Sequence, residues 1–523
     1  MARSSTKRAV AVAPIVAGAA ITAYDLIQRK HAILRNFPVI GHLRYLLEKV
    51  GPELRQYIVT GNDEERPFSR DQRRWIYASA KRENNYFGFG TDNDVERTPG
   101  YPIIKHRTLS AVGPHTGVHA GEDVVLPSAK VLGAARKRAG AFRPQSIVNV
   151  SGMSFGSLSA AAVTALNRGV AKAGCLQDTG EGGLSPYHRS GGDLVFQIGT
   201  GYFGCRDEHG RFDLQRLVDL VASAPVRAIE IKLSQGAKPG LGGLLPGVKV
   251  TQEIADIRGI PVGVDCASPS RHAVFSTVDE MLDFTETVAA ATSLPVGIKS
   301  AVGDTEFWDQ LVAAMIPGDR GVDFVVVDGG EGGTGAAPLV FTDSVSLPFR
   351  LGFPRVFRAF AEAGIDDRVT FIGSGKLGLP ENAIVALALG CDMVNVGREA
   401  MMAIGCVQAQ RCHTDHCPTG VATQNRWLQR GLDPTDKAER LADYVRALRR
   451  DLLKVSEACG VPHPALIPLD AIEILDGQSK AVPAPEVYGY RPGWGLPRGA
   501  QMDALLAALT HDGDENATTQ HTD

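Results

Sequence analysis

Three cysteines lie within twelve residues, Cys406, Cys412 and Cys417, spaced C-x5-C-x4-C with Pro418 after the last. A closely spaced cysteine run ending in proline is a feature of ferredoxin-type iron–sulfur ligation. Three thiolates with no nearby fourth suit a cluster lacking one iron, because each iron of a cuboidal cluster takes one protein sulfur. Zinc held by these cysteines with His413 or His416 is a second reading, although the paired C-x2–4-C spacing usual for zinc is missing. Reduced structural thiols are the third. The remaining Cys175, Cys205, Cys266, Cys391 and Cys459 are isolated and are expected in the core or in loops.

A second group of chemically suggestive residues sits in glycine-rich stretches. These are Thr179-Gly180-Glu181-Gly182-Gly183, Gln235–Gly240 with Lys238, Asp328–Gly335 with Gly329 and Gly330, Gly373-Ser374-Gly375-Lys376, and Gly397-Arg398. Glycine accounts for 58 of 523 residues, about 11% where roughly 7% is usual, and no collagen period uses the excess. Glycines grouped in this way let a ligand touch backbone; ordinary turn chemistry is the plainer explanation.

The elements that must position these loops can be read from the pattern between Ser146 and Gly397. Eight short β-branched runs occur in order: Ile147–Ser151, Cys175–Thr179, Leu194–Gly199, Ala228–Leu233, Pro295–Ser300, Asp323–Asp328, Val369–Gly373 and Met393–Gly397. Helical patterns such as Ser159–Ala173, Asp279–Ala291 and Pro380–Leu389 separate most of them. Eight βα units over about 250 residues predict an α/β fold, a (β/α)8 TIM barrel; a doubly wound sheet would need fewer strands and a switch point. The glycine stretches then share the C-terminal face, where barrels carry their active sites. Gly373, Gly375 and Gly397 follow strands seven and eight, where barrels hold phosphate, and Arg398 can add a charge-assisted bond. Lys299 ends strand five on the same face. A phosphate site with a cation beside a ring is the pattern expected of flavin mononucleotide (FMN).

Composition narrows the function classes. Hydrophobic residues are 44% and charged residues 22%, enough for a large core and incompatible with a wholly disordered chain. With 55 Lys+Arg against 58 Asp+Glu, the net charge of −3 gives no electrostatic reason for nucleic-acid binding. Near the N-terminus, Ala9–Tyr24 is uncharged and mostly apolar, preceded by Lys7 and Arg8. It is close to the length of a spanning helix but is Ala/Gly-rich and interrupted by Pro14, so a transmembrane anchor, a signal peptide and a packed helix are all readings. Ile33–Leu47, apolar with interspersed basic residues, could lie along a membrane surface. Export is not expected, because Met1–Arg8 has no twin-arginine signal. The expected location is cytoplasmic, with attachment to the cell membrane through this segment. The expected organisation is an apolar N-terminal segment at 1–50, a lead-in packed on the barrel at 51–145, the barrel with the cysteine cluster at 146–430, and a helical extension with a disordered tail at 431–523.

Taken together, the motifs resemble the synthase domain of glutamate synthase over about residues 100–430. The likeness is carried by Ser151-Gly152-Met153-Ser154-Phe155-Gly156-Ser157-Leu158-Ser159, Thr179–Gly183, Ile231-Lys232-Leu233-Ser234-Gln235-Gly236-Ala237-Lys238-Pro239-Gly240, Asp328–Pro338 and Cys406–Gln424. The resemblance implies an FMN-bearing barrel with a [3Fe-4S] cluster on Cys406, Cys412 and Cys417. It implies reductive amination of 2-oxoglutarate, or a similar keto acid, with ammonia to give glutamate. Matched by position, Lys232, Gln235, Lys238 and Arg258 belong to the flavin and 2-oxoglutarate site, and Glu181 to the carboxylate near the flavin. Glu181 and Lys238 are thus the expected catalytic residues. Met153, Ser154 and Gln197 are expected around the flavin with Lys299, Gly329, Gly330, Gly373, Gly375, Gly397 and Arg398. The chain departs from the full enzyme: no glutamine-hydrolysing domain precedes the barrel, and Leu241 and Leu244 stand where the family usually has polar residues. It looks like the FMN-binding, single-domain relatives, whose electron donor would be a ferredoxin or a separate reductase. An N-alkylglutamate-type synthase accepting an amine, and a membrane-attached flavin/iron–sulfur electron-transfer protein, are the alternatives.

Overall fold

Runs rich in Val, Ile and Phe that are buried on both faces read as near-continuous apolar segments, and here they become parallel strands. The computed structural model describes residues 16–28, 32–54, 64–86, 88, 90–91, 93–110 and 124–518. In chain order the strands are β1 (Pro102–Ile104), β2 (Val148–Val150), β3 (Gln177–Asp178), β4 (Leu194–Ile198), β5 (Val226–Lys232), β6 (Leu244–Leu245), β7 (Cys266–Ala267), β8 (Val296–Ser300), β9 (Phe324–Asp328), β10 (Thr370–Ser374), β11 (Met393–Val396), β12 (Ile472–Leu475) and β13 (Ala481–Pro483). Strands β2, β3, β4, β5, β8, β9, β10 and β11 form a closed barrel, with β11 pairing in parallel to β2. All eight runs expected from the sequence are therefore barrel strands. The antiparallel pair β6–β7 is inserted between β5 and β8.

Two compact units divide the chain, residues 1–71 and 72–523. In the first, a helix over 16–27 is followed by helices Ala32–Asn36 and Gly41–Leu54. Buried Asp25 accepts a hydrogen bond from Val39 N at 2.9 Å and pairs with His42 Nε2 at 2.9 Å. The anchor expected at Ala9–Tyr24 falls partly outside the described residues. Among the described residues, no helix is long and apolar enough to cross a membrane.

In the second unit, the barrel is closed at its N-terminal end by the segment around Leu132 and Phe142, which pair antiparallel. Leu132 packs inside with Ala228, Phe324, Val326, Ile372 and Met393. Arg138 fixes this end from outside, donating to Glu286 at 2.7 and 2.8 Å and to Asp323 at 3.0 Å. The lead-in and the C-terminal extension meet in one small sheet. Strand β1 pairs antiparallel with β12, which pairs with β13. Within the 431–523 extension, a helix runs over Ala500–Thr518.

Helix Ala160–Ala173 shows how local signals and packing agree. Ser159 caps it by accepting from Ala162 N, and Gly174, with φ of 62°, ends it in the left-handed conformation that glycine adopts at least cost. It packs on the long helix Pro434–Ala458, and a β-carbon at Gly169 would lie 2.7 Å from Leu441 Cβ. Glycine here permits the close crossing. Overpacking a tight core typically costs about 1–3 kcal/mol, so Gly169→Val is expected to lower stability by that order in urea unfolding. A midpoint equal to wild type would show that the two helices can separate freely.

Candidate active site

The ends of β3, β5 and their following loops bring charged side chains to the C-terminal mouth of the barrel. Lys232, the last residue of β5, places Nζ 2.7 Å from Glu181 Oε1 and donates to Gln235 Oε1 at 2.6 Å. Lys238 is 2% exposed and donates to Gly242 O at 2.7 Å. Arg258 comes from helix Gln252–Arg258 and donates to Ser154 Oγ at 3.3 Å and Phe155 O at 3.1 Å, with its guanidinium 5.2 Å from the Phe203 ring centre. Its Nε is buried with no hydrogen-bond partner, leaving one donor unused. Burial pushes the Glu181 carboxyl up, but Lys232, Lys238 and Arg258 outweigh it and hold the group below its usual range. Lys238 is pushed down, first by burial and then by Lys232. Glu181 is therefore an anion facing a cluster of three cations, and that surplus of positive charge suits an anionic ligand.

Close backbone approach accounts for several glycines at this mouth. A β-carbon at Gly180 would lie 2.6 Å from Ser154 N, and one at Gly182 would lie 2.7 Å from Arg258 Nη2. At Gly236 it would fall 1.8 Å from Gly329 O, while Gly236 N donates to Asp328 Oδ2 at 2.8 Å. The loops after β5 and β9 are thus locked face to face. Gly329 N donates to Ser374 O, and Gly375, with φ of 120°, sits with its hypothetical β-carbon 3.1 Å from Gly329 Cα. Gly330 N donates to Leu347 O. Arg398 donates to Glu331 O and packs its side chain against Gly333. At Gly397 only Ser151 Cβ lies near the position of a side chain, at 3.8 Å, so this backbone is open to an incoming group. Gly373 differs from the rest. It lies inside β10, where a side chain would strike Leu377 and the Phe349 ring, so core packing explains it.

Lys299 is buried at the end of β8, 3.9 Å from Glu230 Oε1. Burial pushes it down, but Glu230, Asp328, Asp178 and Glu181 outweigh this and raise its pKa, so it is a cation. The Gln197 amide, expected at the flavin, commits its Nε2 to Asp178 and Glu230 in the barrel interior. Met153 lies against Gly180. Four neighbours escaped the sequence reading: Asp178, Glu230, Tyr202 and His272. His272 bonds Lys232 O through Nε2 at 2.9 Å and Tyr202 Oη through Nδ1 at 3.2 Å, stacking on Phe275. Burial pushes its pKa down, favouring neutral imidazole. Carboxylates inside the strand runs, Asp178 and Glu230, were the available signal.

The cysteine loop abuts the same mouth. A β-carbon at Gly335 would lie 2.9 Å from Cys412 Cβ, and Lys249 Nζ joins Ser157 O at 2.9 Å to Cys412 O at 3.1 Å. Tyr77 Oη donates to Cys406 O, and Gln408 N donates to Cys406 Sγ at 3.4 Å. Positive φ angles at Gln408, Gln410 and Asp415 turn the chain sharply between the cysteines. As a free thiol, Cys406 is pushed up to about 12, mainly by burial, with Cys412 and Cys417 adding to it, so the three sulfurs share one locality. Among the described residues, no three His, Cys, Asp or Glu side chains are grouped to hold a single metal ion.

The conserved region in glutamate synthase matches residues 128–462. The chain belongs to the glutamate synthase family. It is 39% identical over 481 residues to a glutamate synthase large subunit-like protein of Bacillus subtilis, covering 86% of this chain and 91% of that one. It is 35% identical over 320 residues to an archaeal glutamate synthase [NADPH] of Methanocaldococcus jannaschii, covering 60% and 59%. An archaeal-type glutamate synthase [NADPH] of Thermotoga neapolitana is 34% identical over 346 residues, covering 66% and 63%. The chain thus spans about three fifths of these two synthases. Likeness to solved structures is loose: a flavocytochrome b2 variant with pyruvate bound gives a TM-score of 0.43 at 16% identity, covering 89% of this chain and 93% of that one.

Because Gly236 meets backbone rather than a movable side chain, Gly236→Ala must force the two loops apart. The expected loss is at least the roughly 1–3 kcal/mol of ordinary overpacking. Unchanged stability in denaturant would show that the loops are not locked.

Proposed function

We propose that this protein is an FMN- and iron–sulfur-dependent oxidoreductase of glutamate synthase type that reductively aminates 2-oxoglutarate or a similar keto acid. The observation that carries this reading is the convergence of Lys232, Lys238 and Arg258 around the single carboxylate of Glu181. A dicarboxylate keto acid brings two negative charges into a buried site, where unpaired charge is costly. Lys238 and Arg258 would bind those carboxylates, and Arg258 Nε is a donor with no other partner. Lys232 holds Glu181 in place, and Gln235 fixes the Lys232 ammonium from the other side. Glu181, next to the reacting carbon, would pass protons to and from the amine nitrogen.

The residues at the mouth fit FMN. Open backbone at Gly397 would take its phosphate, with Gly375, Gly329, Gly330 and Arg398 as the further proposed contacts. Lys299 would lie beside its ring, with Met153 and Ser154 across it. Bound there, FMN would supply the hydride. Cys406, Cys412 and Cys417 share a locality, and a [3Fe-4S] cluster on their three thiolates is the proposed occupant. Reducing equivalents would come from a ferredoxin or a separate reductase.

Chemically reduced holoenzyme should be reoxidised by 2-oxoglutarate plus ammonia. Reduced flavin unaffected by any keto acid and amine pair would overturn the synthase reading in favour of electron transfer. Losing a bond to a charged group typically costs about 1.5–3 kcal/mol, roughly ten- to a hundredfold in affinity. Lys238→Ala and Arg258→Ala are therefore expected to keep yellow protein while raising the KM for 2-oxoglutarate at least about tenfold. In anaerobic preparations Cys412→Ser should lose most iron and acid-labile sulfide, and Cys459→Ser should keep them. Stoichiometric zinc without sulfide would replace the cluster by a zinc site.

A further inference from the structure

Below the cationic mouth, the barrel interior encloses a second charged group. Asp178, ending β3, and Glu230, within β5, are 2% and 1% exposed. Both carboxyls accept from the same nitrogen, Gln197 Nε2, at 3.1 and 2.6 Å, which holds them side by side. Asp178 Oδ1 accepts further from Gly180 N at 2.7 Å. Gly152 closes the group from above: a β-carbon there would lie 2.8 Å from Gln197 Nε2 and 2.9 Å from Asp178 Oδ1. On the other side is a cavity of about 20 Å3, lined by Asn149, Asp178, Glu230 and Asn395 and closed by Leu132 and Phe324. It has room for one water.

The charges that reach the pair are few. Lys299 Nζ lies 3.9 Å from Glu230. Asp328 and Glu181 also face Lys299, but Asp328 is bonded by Gly236 N and Glu181 by Lys232. Two carboxyls held on one amide nitrogen away from water repel each other when both are ionised, and a proton on one of them removes that repulsion. Two ionised carboxylates against one ammonium would also leave a net negative charge away from water.

We propose that Asp178 and Glu230 share one proton around Gln197, so that with Lys299 the floor of the site carries no net charge and can accept a negative charge above it. The inference rests on the FMN reading for what sits above the floor, but not for the proton itself. Asp178 and Glu230 are positioning residues that act through Lys299. Burial, and for Glu230 the neighbouring carboxyl, hold the proton above the usual carboxyl range. The pair therefore ionises as pH rises, the floor then becomes negative, and reduction of the bound flavin becomes harder on the alkaline side.

Infrared spectra of the holoenzyme at neutral pH test the proton. Wild type should show the carbonyl stretch of a protonated buried carboxyl, sensitive to deuteration, and Glu230→Gln should lose it, because Asp178 alone ionises against Lys299. Absence of the band in wild type, or its persistence in Glu230→Gln, overturns the shared proton. If Glu230→Gln does not fold, carboxyl-labelled wild type decides by NMR: one Asp or Glu resonance staying protonated through neutral pH supports the pair, and none overturns it. The flavin midpoint potential tests the consequence. It should fall more steeply with alkaline pH in wild type than in Glu230→Gln, and equal slopes overturn the link to the ring site. Protein that shows the band but binds no flavin would refute the FMN reading and leave the proton standing.

Discussion

The 2.7 Å ion pair between Glu181 and Lys232 is the contact around which the mouth of this barrel is organised. Both groups are nearly removed from solvent, and a buried charge is tolerable only with a partner in good geometry. Lys232 alone would repel Lys238, and Arg258 would add to the repulsion. Glu181 makes their proximity possible, and it can do so only because Gly199 and Gly243 leave its side chain space. Three cations and one anion then form a permanent positive site from residues of three separate segments.

The same logic, with the sign reversed, governs the interior one layer down. There, two carboxyls face one lysine, and Gln197 spans them. The barrel therefore stacks an electropositive layer over a balanced one, separated by the backbone of Gly152 and Gly180. Backbone N–H groups hold the loops together, Gly236 N donating to the Asp328 carboxylate and Gly329 N to Ser374 O, so rigidity at the mouth draws on the main chain as well as on side chains.

Much of this was legible in the amino-acid sequence for a physical reason. Parallel barrel strands are covered on both faces, so a run such as Phe324–Asp328 is apolar almost throughout and cannot be mistaken for a surface strand. Lys299 stood out as a charge ending such a run. Asp178 and Glu230 did not, because each is one polar residue whose partner lies on another strand, a pairing that periodicity does not carry. A side chain at Gly373, inside β10, would meet the Phe349 ring, whereas Gly397 faces open space. The short strands β1 and β12 were invisible, since three or four residues gain their meaning only from a partner far away in the chain.

That distant pairing has a consequence for how the chain is made. Lys105, just beyond β1, meets Glu473 of β12 across 368 residues. At about 5–20 residues per second, the ribosome delivers the second strand roughly 20–70 s after the first. Closure of the barrel by β11 against β2 imposes a similar wait on the N-terminal strand. Through that interval both edges are exposed and open to wrong partners. The brevity of β1 and β2, three residues each, keeps the exposed edges small during vectorial synthesis.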